Sequence, residues 1–165
     1  MCLMSQLLSI DELLSFVLTD YALEENIVYA IDDEGLGCIL TSGSEVLQYW
    51  GRNTIKVQSM EKFNQEVFDM GQGLARQYGH YGPVTCHAFY APKGARSFPV
   101  HTDPDDVIVY VAQGTKCMEV AGQEHQLQVG QTIRMAANIP HRAINRHESL
   151  MLSFGLEKFM KDKAF

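Results

Sequence analysis

The segment Ser97-Phe98-Pro99-Val100-His101-Thr102-Asp103-Pro104-Asp105-Asp106-Val107 sets an imidazole and a carboxylate two residues apart. On an extended strand, residues i and i+2 face the same side, so His101 and Asp103 can present both groups to one point. A second imidazole, His141 in Asn138-Ile139-Pro140-His141-Arg142-Ala143, opens a later strand. In a rolled sheet such strands can be neighbours. Two histidines and one carboxylate on one face of a metal leave positions open for a cosubstrate and oxygen, the arrangement of non-haem iron(II) oxygenases. Spacing alone leaves a second reading open, in which Asp103-Pro104 is turn chemistry and nothing more.

Lys116 is the next residue of interest. In Lys116-Cys117-Met118-Glu119-Val120 the alternation sets Lys116 on the face of Met118 and Val120, with Cys117 and Glu119 on the other. An inward lysine needs an anion, because an unpaired buried ammonium is costly. A strand-end lysine whose head snorkels to water fits the same pattern. His87 has the residue type of an additional ligand or acid/base group, or of a structural histidine with its hydrogen bonds satisfied. Ser149 and Ser153 are candidates to bond a cosubstrate, or hydroxyls bonded to barrel backbone. His80, His125 and His147 lie in polar surroundings near turns and read as surface residues, and Asp105 and Asp106 read as a loop carboxylate and a strand-start cap.

The elements that must position these groups are mostly short strands. After Gly82-Pro83 they are expected at 84–91, 97–102, 106–112, 115–121, 124–129, 131–135, 141–146 and 149–156, with glycines at 94, 114, 122 and 130. Eight such strands indicate an all-β sandwich or barrel. Ahead of them, Met60, Phe63, Val67, Met70 and Leu74 recur at spacings of three and four, which predicts one long amphipathic helix over 59–78. Gly71 and Gly73 are weak points in that helix, and a kink is expected there. Ser9-Ile10-Asp11-Glu12 has capping-box spacing and starts a short helix. The runs 27–31, 36–40 and 45–50, separated by turn residues, predict a further layer of strands, and 158–165 a polar tail or short helix.

Composition narrows the class. The 165 residues are 46% hydrophobic and 20% charged, which suits a proper core and a single domain. A net charge of −7 argues against a nucleic-acid surface and favours a basic partner. Cys2, Cys38, Cys86 and Cys117 form no C-x-x-C pair and read as free thiols. The start of the chain has no basic region before its apolar residues, and no run reaches the ~18 apolar residues of a membrane span, so a cytoplasmic protein with no membrane partner is expected.

From about residue 59 to residue 156 the sequence resembles the cupin-like JmjC oxygenases of the ribosomal-oxygenase group. The matching pieces, in order, are the amphipathic helix, the run His87-Ala88-Phe89-Tyr90-Ala91-Pro92-Lys93-Gly94, the His101-x-Asp103 pair with Asp106-Val107 after it, Gln113-Gly114-Thr115-Lys116, Gly130, Pro140-His141-Arg142-Ala143, and the closing Ser149-Leu150-Met151-Leu152-Ser153-Phe154-Gly155. The resemblance implies a mainly β, double-stranded β-helix (jelly-roll) fold with core about 84–156 and an N-terminal extension over 1–83. It implies iron(II) held by His101, Asp103 and His141, which would form the catalytic centre, with 2-oxoglutarate as cosubstrate and Lys116 on its distal carboxylate. His87 and Ser153 are the further cosubstrate candidates. Hydroxylation of a protein or peptide side chain is the implied activity, and a homodimer is an open expectation. The sequence departs from the family at His87 and Phe89, where Asn and Tyr are usual, at Gln131, and at Met135-Ala136-Ala137. The rival expectation is a metal-binding cupin without oxygenase activity.

Overall fold

The computed structural model describes residues 7–159. In chain order the elements are helices α1 (Ile10–Val17) and α2 (Asp20–Glu24), strands β1 (Val28–Ile31) and β2 (Gly37–Ile39), helix α3 (Gly43–Tyr49), strand β3 (Ile55–Val57), a 3₁₀ turn (Met60–Lys62), helix α4 (Gln65–Gln77), and strands β4 (Val84–Ala91), β5 (Asp106–Val120), β6 (Gln123–Gln128), β7 (Thr132–Met135), β8 (His141–Ile144) and β9 (Ser149–Leu156). All strand pairs are antiparallel, in the order β2-β1-β3-β4-β9-β5-β6, with β7 and β8 also pairing β5. The fold is a mainly β cupin jelly roll.

β5 joins the two walls of the roll. Its first half pairs with β7 and β9, and from Thr115 onward it pairs with β6 and β8. The change of partners coincides with a register shift between Val111 and Gln113 and with Gly114 at φ +74°. A Cβ at Gly114 would lie 2.1 Å from the Glu148 carbonyl oxygen, so only glycine fits the bend. The two strands expected at 106–112 and 115–121 are therefore one strand, because Gly114 bends the chain without ending it. The expected strand at 97–102 is reduced to a single bridge between His101 and His141. From residue 84 onward the roll thus has six regular strands where eight were expected.

The helices cover the outer face of the β4-β9-β5 sheet. Cys86, Ala88 and Tyr90 of β4, Ile108 and Ala112 of β5, and Leu150, Leu152 and Phe154 of β9 pack in one cluster with Leu13, Val17, Val46, Val67 and Ala75 of the helices. The alternate residues face inward: Val107, Val109, Val111 and Met151 join Met118, Leu127 and Met135 in a second, smaller cluster. A sheet buried on both faces explains why these strands read as nearly continuous apolar runs.

α1 begins with its capping box complete, Ser9 Oγ accepting from Glu12 N–H at 3.0 Å and Glu12 Oε2 from Ser9 N–H at 2.8 Å. The expected helix over 59–78 is instead a 3₁₀ turn followed by α4, which Asn64 caps by accepting from Val67 N–H. α4 is continuous through both glycines. Gly71 is there because a Cβ would come within 2.9 Å of the Phe154 ring. Of residues 45–50, expected as a strand, all but the last belong to α3, and Trp50 is its C-cap. Ser42 Oγ accepts from Glu45 N–H there, and Glu45 in turn accepts from Thr41 N–H. Ser42-x-x-Glu45 is itself capping-box spacing, a signal masked by the turn-like Thr-Ser-Gly-Ser run.

Among the described residues Cys38, Cys86 and Cys117 are free thiols, while Cys2 lies outside them, as does the predicted tail from 160 on. No helix among them is long and apolar enough to cross a membrane.

Candidate functional site

His101 sits on the segment leading into β5, tied to the first residue of β8 by reciprocal backbone hydrogen bonds with His141 of 3.1 and 2.9 Å. Asp103 is held two residues on, its carbonyl accepting from Asn138 N–H. The side chains of His101, Asp103 and His141 converge, with one donor atom from each within 4.8 Å of the others. Both rings are oriented in the same way. His101 Nδ1 lies 2.8 Å from the Pro99 carbonyl and His141 Nδ1 2.9 Å from the Ile139 carbonyl. A carbonyl only accepts, so each Nδ1 carries a proton and each Nε2 is left for a ligand role, the arrangement that fixes metal-binding histidines. His141 Nε2 lies 3.2 Å from Asp103 Oδ2. With Nδ1 protonated, that contact sets a nitrogen lone pair against a carboxylate unless a proton or a metal cation lies between them. The donor set, two imidazole nitrogens and one carboxylate, fits a divalent first-row metal with open positions.

These three side chains line a cavity of about 850 Å³, its open mouth included. Val109, Met118, Met135 and Met151 form apolar walls, and His87, Lys116 and Ser153 also line it. The expected inward placement of Lys116 is found: it is 1% exposed and shares the cavity with Met118. Its Nζ donates to Asn145 Oδ1 at 2.6 Å. Among the described residues it has no carboxylate partner. Burial pushes its pKa down from the ordinary lysine value to about 8, with only the Cys117 thiol offsetting it.

Asn145 is the residue the sequence did not reveal. Its Nδ2 donates to the Ala95 carbonyl at 2.7 Å, to Ser97 Oγ at 2.9 Å and to Thr54 Oγ1 at 3.3 Å, so its Oδ1 is fixed towards the lysine. Lys56 of β3 was missed as well. It lines the same cavity, and its Nζ lies 5.7 to 6.0 Å from the rings of Tyr29, Phe89 and Phe98. Its Ile-Lys-Val context carries no motif.

His87 Nδ1 accepts from Ser59 N–H at 3.3 Å, Ser59 itself adopting φ 57°. Burial first, then the positive charge of Lys56, pushes the His87 pKa down to about 4 against the opposing effect of Asp103. His87 is thus a neutral ring whose proton lies on Nε2, a hydrogen-bond donor and not a base. It is not among the three converging donors. Ser153 lines the cavity, whereas Ser149 does not, and its buried Oγ lacks the expected backbone bond. Asp106 opens β5, but its carboxylate, expected to cap that strand, instead accepts from Ala137 N–H beyond β7 at 2.9 Å and pairs with Arg134, which together hold its carboxyl below the ordinary value. His125 and His147 are exposed, and the half-buried His80 bonds the Pro83 carbonyl.

Residues 88–154 match the Cupin domain family. No curated protein sequence matches the chain. Among solved structures, the ribosomal oxygenase YcfD of Escherichia coli in complex with cobalt and succinic acid superposes with a TM-score of 0.71 at 15% identity, over 93% of this chain and 44% of that one. Its complex with cobalt and 2-oxoglutarate gives 0.71 at 15% identity over 93% and 45%. A further YcfD structure gives 0.69 at 14% over 94% and 46%. This chain spans less than half the length of YcfD, and at such identity the likeness is one of fold. The domain match and the topology agree on a cupin jelly-roll fold.

Proposed function

We propose that the protein is an iron(II)- and 2-oxoglutarate-dependent oxygenase of the JmjC/cupin type, with His101, Asp103 and His141 as metal ligands. The observation that carries this reading is Lys116, a fully buried cation without an acidic partner among the described residues, in the same cavity as the triad. Burying an unpaired charge is expensive, and a dianionic cosubstrate bound at the metal through one end would pair with it through the other. A cupin that held only a metal would gain nothing from that lysine.

Iron(II) at the triad would supply oxygen activation coupled to oxidative decarboxylation of 2-oxoglutarate, which hydroxylates a substrate C–H bond. The chain's own groups do the positioning. The Pro99 and Ile139 carbonyls fix the two imidazoles, and Asn145 aims the Lys116 ammonium at the distal carboxylate. His87 Nε2–H and the Ser153 hydroxyl are donors available to the cosubstrate, replacing the family's Asn and Tyr contacts in part. The Val109, Met118, Met135 and Met151 walls keep water from the reacting groups. Support also comes from the fold shared with YcfD, one of whose structures is a complex with cobalt and 2-oxoglutarate.

The test is release of succinate from 2-oxoglutarate by the purified chain, with and without iron(II), in the presence of oxygen. Iron-dependent succinate is expected. Its absence, with metal binding intact, would favour a metal-binding cupin without oxygenase activity.

A further inference from the structure

Lys56 has no part in the reading above, yet it stands in the same cavity. β3 pairs with β4 so that Lys56 lies opposite Phe89, and the lysine reaches over the Phe89 and Phe98 rings at 6.0 and 5.7 Å, with Tyr29 at 5.9 Å. Aromatic faces attract a cation but accept none of the directed hydrogen bonds its three N–H groups can give. Among the described residues, Lys56 Nζ has no ion pair and no hydrogen-bond acceptor. Among the described residues Asp103 is the one acid lining the cavity, and under the proposed function it is committed to the metal.

We infer that Lys56 is a substrate-recognition residue, and that the substrate is a small monocarboxylate with an apolar or aromatic body. The inference rests on the oxygenase reading for its charge balance. With a divalent ion bound, the ion and two lysines outweigh Asp103 and a dianionic cosubstrate by one positive charge, in a site walled by methionine and phenylalanine. One carboxylate on the substrate neutralises that excess, and Lys56 is the cation left to receive it. The aromatic rings that hold the lysine give the substrate's body an apolar surface beside its charged end. This reverses the expectation drawn from the net charge of −7, since the charge averaged over the chain does not describe the cavity.

The experiment uses the manganese(II)-loaded full chain without oxygen, with 3-phenylpropionate as probe and 3-phenylpropanamide as its uncharged counterpart. Both are titrated into wild type saturated with 2-oxoglutarate, and into Lys116→Met without it, each with and without Lys56→Met. The acid should bind about tenfold or more tightly than the amide, the effect of one charge-assisted hydrogen bond. Lys56→Met should abolish that preference while leaving 2-oxoglutarate affinity within about twofold, a change too small to reflect a lost direct contact. Equal binding of acid and amide overturns the inference, and so does a Lys56→Met variant that loses 2-oxoglutarate as strongly as the acid. Wild type that binds no 2-oxoglutarate refutes the oxygenase reading alone. The comparison in the Lys116→Met background then still decides for or against Lys56.

Discussion

Two parts of the cavity lining, the exposed ligand end and the buried cation end, are built in opposite ways. At the triad, His101 is exposed and Asp103 half-exposed, on a segment whose regular strand pairing is reduced to one bridge, with His141 buried beside them. At the buried cation, Lys116 lies within the longest strand and is held by an asparagine that itself makes three further hydrogen bonds. The difference follows from what each end lacks. A metal ion orders its own ligands on binding, so they need only be near and correctly turned. An ammonium that waits for an anion must be held in place by neutral groups, because a carboxylate neighbour would occupy the position meant for the ligand.

The largest effect should come from the exposed end. Asp103→Ala removes a ligand and should lower metal affinity by about two orders of magnitude or more, since changes merely beside a metal ligand already cost about 10–100-fold. Stability should change little, because the side chain is not part of the core; changes at such surface sites are usually within about 0.5 kcal/mol. Anaerobic titration of manganese(II) and a thermal melt would measure both. A collapsed fold would show that the triad is structural, and the contrast between the ends would disappear.

At the buried end the pattern reverses. Lys116→Met keeps the length and apolar stem and should leave metal affinity unchanged, while 2-oxoglutarate affinity falls about ten- to hundredfold for the lost charge-assisted contact. Equal affinities of wild type and variant in an anaerobic titration would remove Lys116 from the site.

Asn145→Ala should be milder in binding but visible in stability. It deprives Lys116 Nζ of its acceptor and removes the partner of the Ala95 carbonyl, which points to a loss of about 1–3 kcal/mol. Denaturant unfolding would read it. Stability within error of wild type would mean that Asn145 does not hold the lysine.

The triad was legible because a two-residue period survives even where the strand does not. His101 and Asp103 converge although their segment is only a bridge, and Lys116 was legible from the alternation with Met118. Asn145 and Lys56 were not: Asn145, just past the end of β8, meets Lys116 only through long-range folding, and Lys56 enters the cavity from a strand whose contact with the site is set by long-range pairing. Lys56 sits between the buried Ile55 and Val57, where alternation alone assigns a lysine to solvent. Only the pairing of β3 with β4 turns that face towards the cavity. The strand count failed locally, at Gly114, because a glycine with positive φ ends a strand in most contexts and bends one here.

The smallest expected effect is also the most specific to the buried end. Burial has pushed the Lys116 pKa down to about 8, so the free protein loses this charge near pH 8 and not near the ordinary lysine value. An anion binds the charged form, hence 2-oxoglutarate affinity should be flat below about pH 7 and fall as pH rises through 8. The direction is fixed by the sign of the shift: a lowered lysine pKa gives up its proton sooner, and both carboxylates of the ligand stay ionised throughout this range. From pH 7 to pH 8.5 the protonated fraction drops roughly fourfold, and affinity should drop with it. Titrations of the manganese(II)-loaded chain at these two pH values would measure the slope, and Lys116→Met supplies the control. If the variant keeps the wild-type slope, the proton lost belongs to another group. If wild type has no slope, either the buried ammonium does not titrate near pH 8 or it does not meet the ligand. A melt at both pH values separates these, because a lysine more acidic in the folded than in the unfolded state makes its contribution to stability rise with pH above about 8.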